Sequence, residues 1–298
     1  MRVKNRQPGA RRWRWSRWGC ALLAFLALLL PILGCGLVLV TYLVFPPPPI
    51  AILILGVDGR GNEGFISRTD SIMLVGIDPA HLRVSLLSIP RDTFIEVPNY
   101  GLQRINTINV LGEQEQSGNG PKLLADSLAQ DFSIQPDRYI RLNFDAFIEL
   151  VDAVGGVAID VERTLVDDAY PTEDGGVMSI RFDSGVQYMD GERALMYART
   201  RHADDDYQRA ARQQQVVAAV VARLVNPLHW PSVLGVLQRN VDTNLTLVDL
   251  LQLAPPVLLS GGRFDQLVIN RDYLIGTADG YAVPNYELIL PWLRERFG

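Results

Sequence analysis

A long apolar segment near the N-terminus constrains this chain most. Residues 19–45 contain no charged side chain, and no acidic residue occurs before Asp58. At about 1.5 Å per residue this segment exceeds the roughly 30 Å hydrocarbon core of a bilayer and is too long for a signal-peptide core, which predicts one uncleaved transmembrane helix. Seven basic residues precede it: Arg2, Lys4, Arg6, Arg11, Arg12, Arg14 and Arg17. Because basic residues mark the cytoplasmic side, residues 1–18 are predicted to form a cytoplasmic tail.

The rest of the chain is therefore predicted to lie outside the cytoplasm. Residues 46–50 form a proline-rich spacer, and residues 51–298 are expected to fold as one domain. Lipoprotein processing at Cys35 is the alternative, but the residues after it are apolar or weakly polar and make a poor tether. The other cysteine, Cys20, also lies in the apolar segment, so the external domain is expected to fold without a disulfide.

Composition and motifs exclude several classes of function. Without the seven basic residues of the tail, 21 basic residues face 33 acidic ones, a net charge of about −12 that disfavours nucleic-acid binding. The glycines of 59–64 match GxGxxG, but too few residues follow for a crossover helix before the next strand. The three histidines are scattered, which disfavours zinc, and no GxSxG serine-hydrolase motif is present.

Three short apolar runs, 50–57, 71–77 and 84–89, predict sequential antiparallel strands. In that arrangement the end of the first strand, the start of the second and the end of the third share one edge of the sheet. Ligands of α/β proteins bind at such edges. Three acid-arginine pairs are expected there: Asp58 with Arg60, Arg68 with Asp70, and Arg91 with Asp92.

Helices are predicted over residues 144–154, 190–198 and 206–225, the first from apolar spacing, the second capped by Asp190 and the third ended by Asn226-Pro227. Weaker patterns indicate a helix near 247–253, a strand near 264–269 and a terminal helix. An arginine-rich stretch spans the second and third helices, with Arg199, Arg201, Arg209, Arg212 and Gln213.

Converging guanidinium groups suit phosphate or pyrophosphate, because each presents a planar fork of donors. Clustered carboxylates such as Asp58 and Asp70 suit Mg²⁺ or Mn²⁺. The plainer interpretation is a solvated helix face with salt bridges to residues 204–206, and strand-end caps or local ion pairs for the two aspartates.

Taken in order, the motifs resemble the LytR-CpsA-Psr family of bacterial cell-envelope proteins. The match runs from residue 52 to residue 224 and includes LILGVDGR, SRTDSIML, LLSIPRDT, RINTINVLG, DAVGGVAIDV, DGERALMYARTRH and DYQRAARQQQ. The resemblance implies an α/β domain with a central mixed or antiparallel sheet flanked by helices. It also implies a Mg²⁺-dependent (or Mn²⁺-dependent) phosphotransferase that moves a glycopolymer, a teichoic acid or a capsular polysaccharide, from a polyprenyl (undecaprenyl) pyrophosphate carrier to peptidoglycan.

Site residues follow from the same resemblance. It assigns Asp58 and Asp70 to the metal, and Arg68, Arg91, Arg199, Arg201, Arg209 and Gln213 to the pyrophosphate, with Arg60 a further candidate. Arg91, Arg199, Arg201 and Asp206 are the expected catalytic residues; Asp206 or Asp92 is a candidate to accept the hydroxyl proton. Phe147, Leu150 and Val154 are expected either to line a lipid tunnel or to pack in the core. The alternatives are a pyrophosphatase acting on the same lipid and a non-catalytic protein that binds envelope polymer.

Overall fold

The computed structural model describes residues 17–57, 65–172, 175–200, 206–259 and 264–297. It divides into two compact units, Met1–Pro46 and Pro47–Gly298. Helix α1 (Arg17–Val44) belongs to the first. Over the residues described in full, no single helix is long and apolar enough to cross a membrane, and Tyr207–Arg223 with Pro227–Asn240 qualifies only as a pair bent by 99°. The transmembrane anchor, the cytoplasmic tail and the spacer stay predictions.

The second unit combines strands with helices. Its strands are β1 (Ile50–Val57), β2 (Thr69–Asp78), β3 (Arg83–Ile89), β4 (Phe94–Val97), β5 (Gly101–Arg104), β6 (Arg138–Leu142), β7 (Val157–Val161), β8 (Leu165–Pro171), β9 (Val177–Phe182), β10 (Gly185–Met189), β11 (Asp242–Thr243), β12 (Asp265–Val268), β13 (Leu274–Gly276) and β14 (Ala282–Pro284). Its helices are α2 (Ile108–Glu115), α3 (Gly120–Phe132), α4 (Phe144–Ala153), α5 (Gly191–Arg199), α6 (Asp206–Arg223), α7 (Trp230–Asn240), α8 (Leu247–Leu259) and α9 (Tyr286–Phe297).

A six-stranded mixed sheet forms the centre of this unit, in the order β11-β6-β1-β2-β3-β12. The predicted antiparallel pairing of the first three strands is confirmed. Strand β6 runs parallel to β1, and β12 runs parallel to β3. The ends of β1, β3, β6 and β12 and the start of β2 therefore lie at one edge, where the sequence placed the site.

Both faces of the sheet are buried, which explains why β1, β2 and β3 are largely continuous apolar runs rather than alternating ones. Leu53, Leu55 and Leu74 pack on one face with α2, α3 and α9. Ile52 and Val75 point to the other face, toward α6 and α8. Because successive side chains alternate, one set of strands supplies two cores.

Local signals fix the helices beside the site. Asn143 caps α4 by accepting a hydrogen bond from the Ala146 N–H, and Gly155 follows that helix with φ +75°, a conformation that favours glycine. Asp190 caps α5 by accepting from the Arg193 N–H. Three of the predicted elements end within two residues of their predicted ends, at Ala153, Arg199 and Arg223. The weaker patterns in the last third of the chain are confirmed as α8, β12 and α9.

Candidate active site

A cavity of about 1080 Å³ lies between the sheet and the helices α4, α6, α7 and α8. Most of its wall is apolar: Ile52, Ile54, Val75, Ile77, Val84, Ile140, Leu142, Phe144, Phe147, Leu150, Val151, Val216, Val217, Val220, Val221, Leu224, Trp230, Val233, Leu234, Leu237, Leu245, Leu250, Leu253, Val257 and Leu258. Its charged and amide-bearing lining residues are Asp70, Asn143, Asp167, Arg199, Arg209 and Gln213. The predicted lipid-lining role fits Phe147 and Leu150, whereas Val154 is a fully buried core residue.

An ion pair joins two of the predicted acid-arginine pairs at the sheet edge. Arg91 follows β3, and its Nη1 donates to Oδ1 of Asp70 on β2 at 2.7 Å. The antiparallel register brings these residues together although they are 21 positions apart. Asp70 lines the cavity at its polar end, whereas Arg91 contacts Asp70 without being a lining residue itself.

Arg199, the last residue of α5, is held by aromatic groups. Its guanidinium lies 4.1 Å from the ring centroid of Phe144 and 5.7 Å from that of Tyr170, and Nη1 donates to the Tyr170 hydroxyl at 3.4 Å. Among the described residues, no carboxylate forms an ion pair with Arg199, so its positive charge is not neutralised there. The rings fix the plane of the fork while the charge stays available to an anion in the cavity. Arg199 is the last residue of α5, one position beyond the predicted end of that helix at residue 198.

Helix α6 supplies two further polar groups on one face. Arg209 is 6% exposed, and it lines the cavity together with Gln213 one turn later. The same face continues as Val216, Val217 and Val220 into the apolar wall. A helix that changes from polar to apolar along one face suits an amphiphile lying beside it.

Arg212 lies on a different face of α6 and has a different role. It is buried, and its Nε donates to the carbonyl oxygen of Tyr197 at 3.0 Å while Nη2 donates to that of Thr200. These bonds hold the C-terminal end of α5, and Arg212 does not line the cavity. Arg212 is therefore bonded within the fold, whereas Arg209 lines the cavity.

Two polar lining residues were missed from the sequence. Asp167 on β8 is 1% exposed, and its Oδ1 accepts from the Ala169 N–H at 3.1 Å next to a register shift between β8 and β9. Successive side chains of a strand point to opposite sides, and Asp167 lies between the exposed Val166 and Asp168, so its side chain points into the protein. Asn143 follows β6 at the same sheet edge as Asp70, but β6 itself was not predicted.

Other predicted site residues lie elsewhere. Arg68 precedes β2 and is exposed rather than lining the cavity. Asp92 is not a lining residue either, and it pairs with Arg104 at 3.0 Å. Asp58, Arg60, Arg201 and the side chain of Asp206 lie outside the described residues.

Of the two expected Mg²⁺ ligands, only Asp70 is among the described residues. No group of three or more His, Cys, Asp or Glu residues suited to a metal occurs there. Mg²⁺ typically takes one or two protein carboxylates and completes its coordination with water and substrate phosphate. Arg91 engages Oδ1 of Asp70, and no described residue hydrogen-bonds Oδ2. A carboxylate lining the cavity beside guanidinium groups thus fits a cation that is shared with a phosphate.

Fold and site together define an α/β protein with a cavity that is apolar over most of its wall and carries two aspartates and two arginines at its polar end. The sequence profile of the LytR_cpsA_psr family matches residues 46–283. The chain therefore belongs to the LytR-CpsA-Psr family.

Curated relatives agree with that membership. The regulatory protein MsrR of Staphylococcus aureus is 33% identical over 202 residues, which are 66% of this chain and 56% of MsrR. The polyisoprenyl-teichoic acid--peptidoglycan teichoic acid transferase TagU of Oceanobacillus iheyensis is 35% identical over 203 residues, 66% of this chain and 59% of TagU. The matched region thus spans less than two thirds of each relative.

Solved structures share the fold. TagV of B. subtilis superposes with a TM-score of 0.67 at 25% identity, covering 84% of this chain and 97% of TagV. The structure of TagT bound to LIIa-WTA superposes with a TM-score of 0.63 at 22% identity, covering 84% of this chain and 91% of TagT. The mixed sheet flanked by helices is therefore the family fold.

Proposed function

We propose that this protein is a glycopolymer phosphotransferase that takes its substrate from a polyprenyl pyrophosphate carrier and joins it to a peptidoglycan sugar hydroxyl. The observation that carries the proposal is the cavity of about 1080 Å³, apolar over most of its wall and polar where Asp70, Arg199, Arg209 and Gln213 line it. Family membership and the transferase name of TagU, a relative at 35% identity, support it.

The apolar wall accounts for the lipid. A polyprenyl chain has no polar group, so a wall of valine, leucine and isoleucine binds it through burial of apolar area, about 25 cal/mol for each Å² removed from water. The cavity volume of about 1080 Å³ lies at the upper end of the range of about 300–1,000 Å³ that is typical of ligand sites, so a sizeable apolar group can be accommodated.

The polar end accounts for the head group. Arg199 and Arg209 bring positive charge to a cavity with apolar walls, where charge-assisted hydrogen bonds are stronger than in water. Gln213 adds an amide donor on the same helix face as Arg209. A pyrophosphate has enough oxygen atoms to engage all three at once.

In the proposed reaction, an acceptor sugar hydroxyl attacks the phosphorus that carries the polymer. A new P–O bond forms to the sugar, and the bond from that phosphorus to the bridging oxygen breaks. The bridging oxygen leaves with the polyprenyl phosphate, and Arg199 and Arg209 stabilise the charge that develops on it. Orientation within the cavity supplies much of the rate.

The proton of the attacking hydroxyl passes to a carboxylate. Asp206 opens α6 one turn before Arg209 and is the proposed base, because the other candidate, Asp92, is engaged by Arg104 at 3.0 Å. Asp70, with Asp58, would hold Mg²⁺; when bound, the ion supplies positive charge against the phosphate oxygens.

The domain is proposed to lie outside the cytoplasm, attached to the cell membrane by residues 19–45. The basis is the distribution of charge in the first 57 residues, with seven basic and no acidic side chains. A reporter fused to the C-terminus should be active only outside the cytoplasm, and cytoplasmic activity would reverse this topology.

Product analysis tests the reaction. The full chain in detergent is given a polyprenyl-pyrophosphate-linked oligosaccharide with or without a peptidoglycan fragment. A transferase forms a sugar–phosphate–peptidoglycan adduct and polyprenyl phosphate only when the acceptor is present. Equal release of polyprenyl phosphate without acceptor indicates a pyrophosphatase, and lipid binding without any product indicates a binding protein.

A further inference from the structure

A second charged cluster lies on the face of the sheet opposite the cavity. Ile140 and Leu142 of β6 line the cavity, so Arg141 between them points to the other side, where it is 2% exposed. Its Nη1 donates to Oε1 of Glu113 at 2.5 Å and to Oδ1 of Asn109 at 2.9 Å. Its Nη2 donates to Oδ2 of Asp242 on β11 at 2.7 Å.

Glu113 keeps this arginine neutralised. Burial alone would raise the pKa of Glu113, but hydrogen bonds from the Gly118 N–H, from Arg141 and from the Gly120 N–H outweigh it, and its pKa lies below the usual value. The carboxylate is therefore ionised at neutral pH. With its two carboxylates in place, Arg141 is a fixed donor that orients the Asn109 amide.

Asn109 connects this cluster to the chain just before β2. It is fully buried, and its Nδ2 donates to the carbonyl oxygen of Phe65 at 2.8 Å and to that of Ser67 at 2.9 Å. The Arg141 guanidinium lies 4.5 Å from the Phe65 ring centroid. Thr69 adds a contact of 3.5 Å from Oγ1 to the Asn106 carbonyl oxygen. The segment 65–69 is thus attached at several points.

We propose that Asn109, oriented by Arg141, is a positioning residue for the active site. It fixes the segment that enters β2, and thereby the position of Asp70 at the polar end of the cavity. This inference rests on the proposed function, since Asp70 is the group whose position it sets. A displacement of about 1 Å at a reacting centre can cost about 10²-fold in rate, so a clamp outside the cavity can govern turnover.

Asn109→Asp tests the clamp. The substitution keeps Oδ1 for Arg141 and replaces the donor that serves the two carbonyls with an acceptor. Gln214→Glu is a matched control, because Gln214 is also buried and its Nε2 donates to two carbonyls, those of Leu86 at 3.2 Å and Leu267 at 2.9 Å. That amide joins β3 to β12, away from the segment before β2.

Hydrogen exchange and kinetics are measured on the full chain in detergent. We expect Asn109→Asp to speed amide exchange in residues 65–70 by at least about tenfold and to lower kcat by about 10- to 100-fold at similar KM for lipid substrate. Gln214→Glu should change neither quantity by more than about twofold per folded molecule. Arg141→Lys, which keeps the charge and loses the fork, should give an intermediate effect and serves if Asn109→Asp does not fold.

Equal kinetics for Asn109→Asp and Gln214→Glu would overturn the positioning role, as would unchanged exchange in residues 65–70. The exchange measurement requires no turnover. If the wild-type chain transfers nothing, the proposed function fails while faster exchange still supports the clamp.

Discussion

Arg141 and Arg199 lie on opposite faces of the central sheet and are held in opposite ways. On the face away from the cavity, Arg141 meets two carboxylates and an amide, at 2.5 Å from Glu113, 2.7 Å from Asp242 and 2.9 Å from Asn109. On the cavity face, Arg199 rests on the rings of Phe144 and Tyr170. One charge is cancelled inside the fold, and the other is oriented without being cancelled.

The extent of burial alone does not distinguish the arginines that are held by protein groups from those that line the cavity. Arg209 and Arg212 are 6% and 4% exposed and lie on the same helix, yet only Arg209 lines the cavity. What distinguishes them is the group each one faces. We therefore expect substitution of Arg212 to affect mainly stability and substitution of Arg209 to affect mainly ligand binding.

Removing the carboxylate at the cavity should have the largest effect. Asp70→Ala is expected to lower transfer by about 10³-fold or more, because it removes the proposed metal ligand and the partner of Arg91 together. Initial rates with excess Mg²⁺ measure the loss, and circular dichroism checks that the fold is kept. Chelation of the wild-type protein should mimic it reversibly; activity in excess chelator would mean that the arginines act alone.

Replacing Arg141 or Arg199 by methionine should lower the free energy of unfolding by different amounts. Arg141→Met leaves Glu113 and Asp242 without their cation and should lower the free energy of unfolding by about 3–5 kcal/mol. Arg199→Met loses mainly its contacts with two rings and should cost about 1 kcal/mol. Urea unfolding of the two variants measures both values. Similar costs would remove the distinction between the two arginines.

A lysine scan tests whether the cavity arginines form an organised pocket. Arg199→Lys keeps the charge but loses the planar fork, and the loss of one charge-assisted contact of about 1.5 to 3 kcal/mol predicts roughly 10- to 150-fold weaker binding of polyprenyl pyrophosphate. Arg212→Lys should alter binding much less, because Arg212 faces carbonyl groups of the protein. Equal, small losses at Arg199, Arg209 and Arg212 would indicate a diffuse charged surface.

The smallest effect concerns pH and another internally paired arginine. A hydrogen bond from Arg138 at 2.8 Å is the main reason that the pKa of Asp249 falls to about 2 from the usual 3.8; burial opposes this shift, and hydrogen bonds from Thr246 add to it. Because the folded pKa is depressed, this stabilisation is present above about pH 4 and is lost as pH falls toward 2. It amounts to about 2 kcal/mol. Asp249→Asn should remove that part of the acid dependence in urea unfolding between pH 5 and pH 2; an unchanged slope would contradict it.

Regular local patterns made much of the fold predictable. Apolar runs identified β1 to β3, and side-chain caps at Asn143 and Asp190 lie where the helices begin. Antiparallel pairing of sequential strands then placed Asp70 beside Arg91, which is the central contact of the candidate site. These inferences needed only local sequence and the geometry of neighbouring strands.

The pairing of strands that are far apart in the sequence could not be predicted from local patterns. Strand β6 joins the sheet beside β1 after a separation of more than 80 residues, and it carries Arg141 on one face and leads into Asn143 on the other. Asp167 lies on the buried side of β8, which pairs with β9 through a register shift next to this residue. Nothing in the local sequence around these residues specifies their partners.

The most direct test of the account is the identity of the molecule in the cavity. The full-length protein is extracted from membranes in mild detergent and analysed by native and lipid mass spectrometry, together with Val220→Trp, which fills the apolar wall, and Val248→Trp at a position 61% exposed as the control. We expect a polyprenyl pyrophosphate, with or without attached glycan, on the wild type and on Val248→Trp, and a large loss of it on Val220→Trp. Wild-type protein without a prenyl pyrophosphate, or equal amounts on all three proteins, would contradict the central claim.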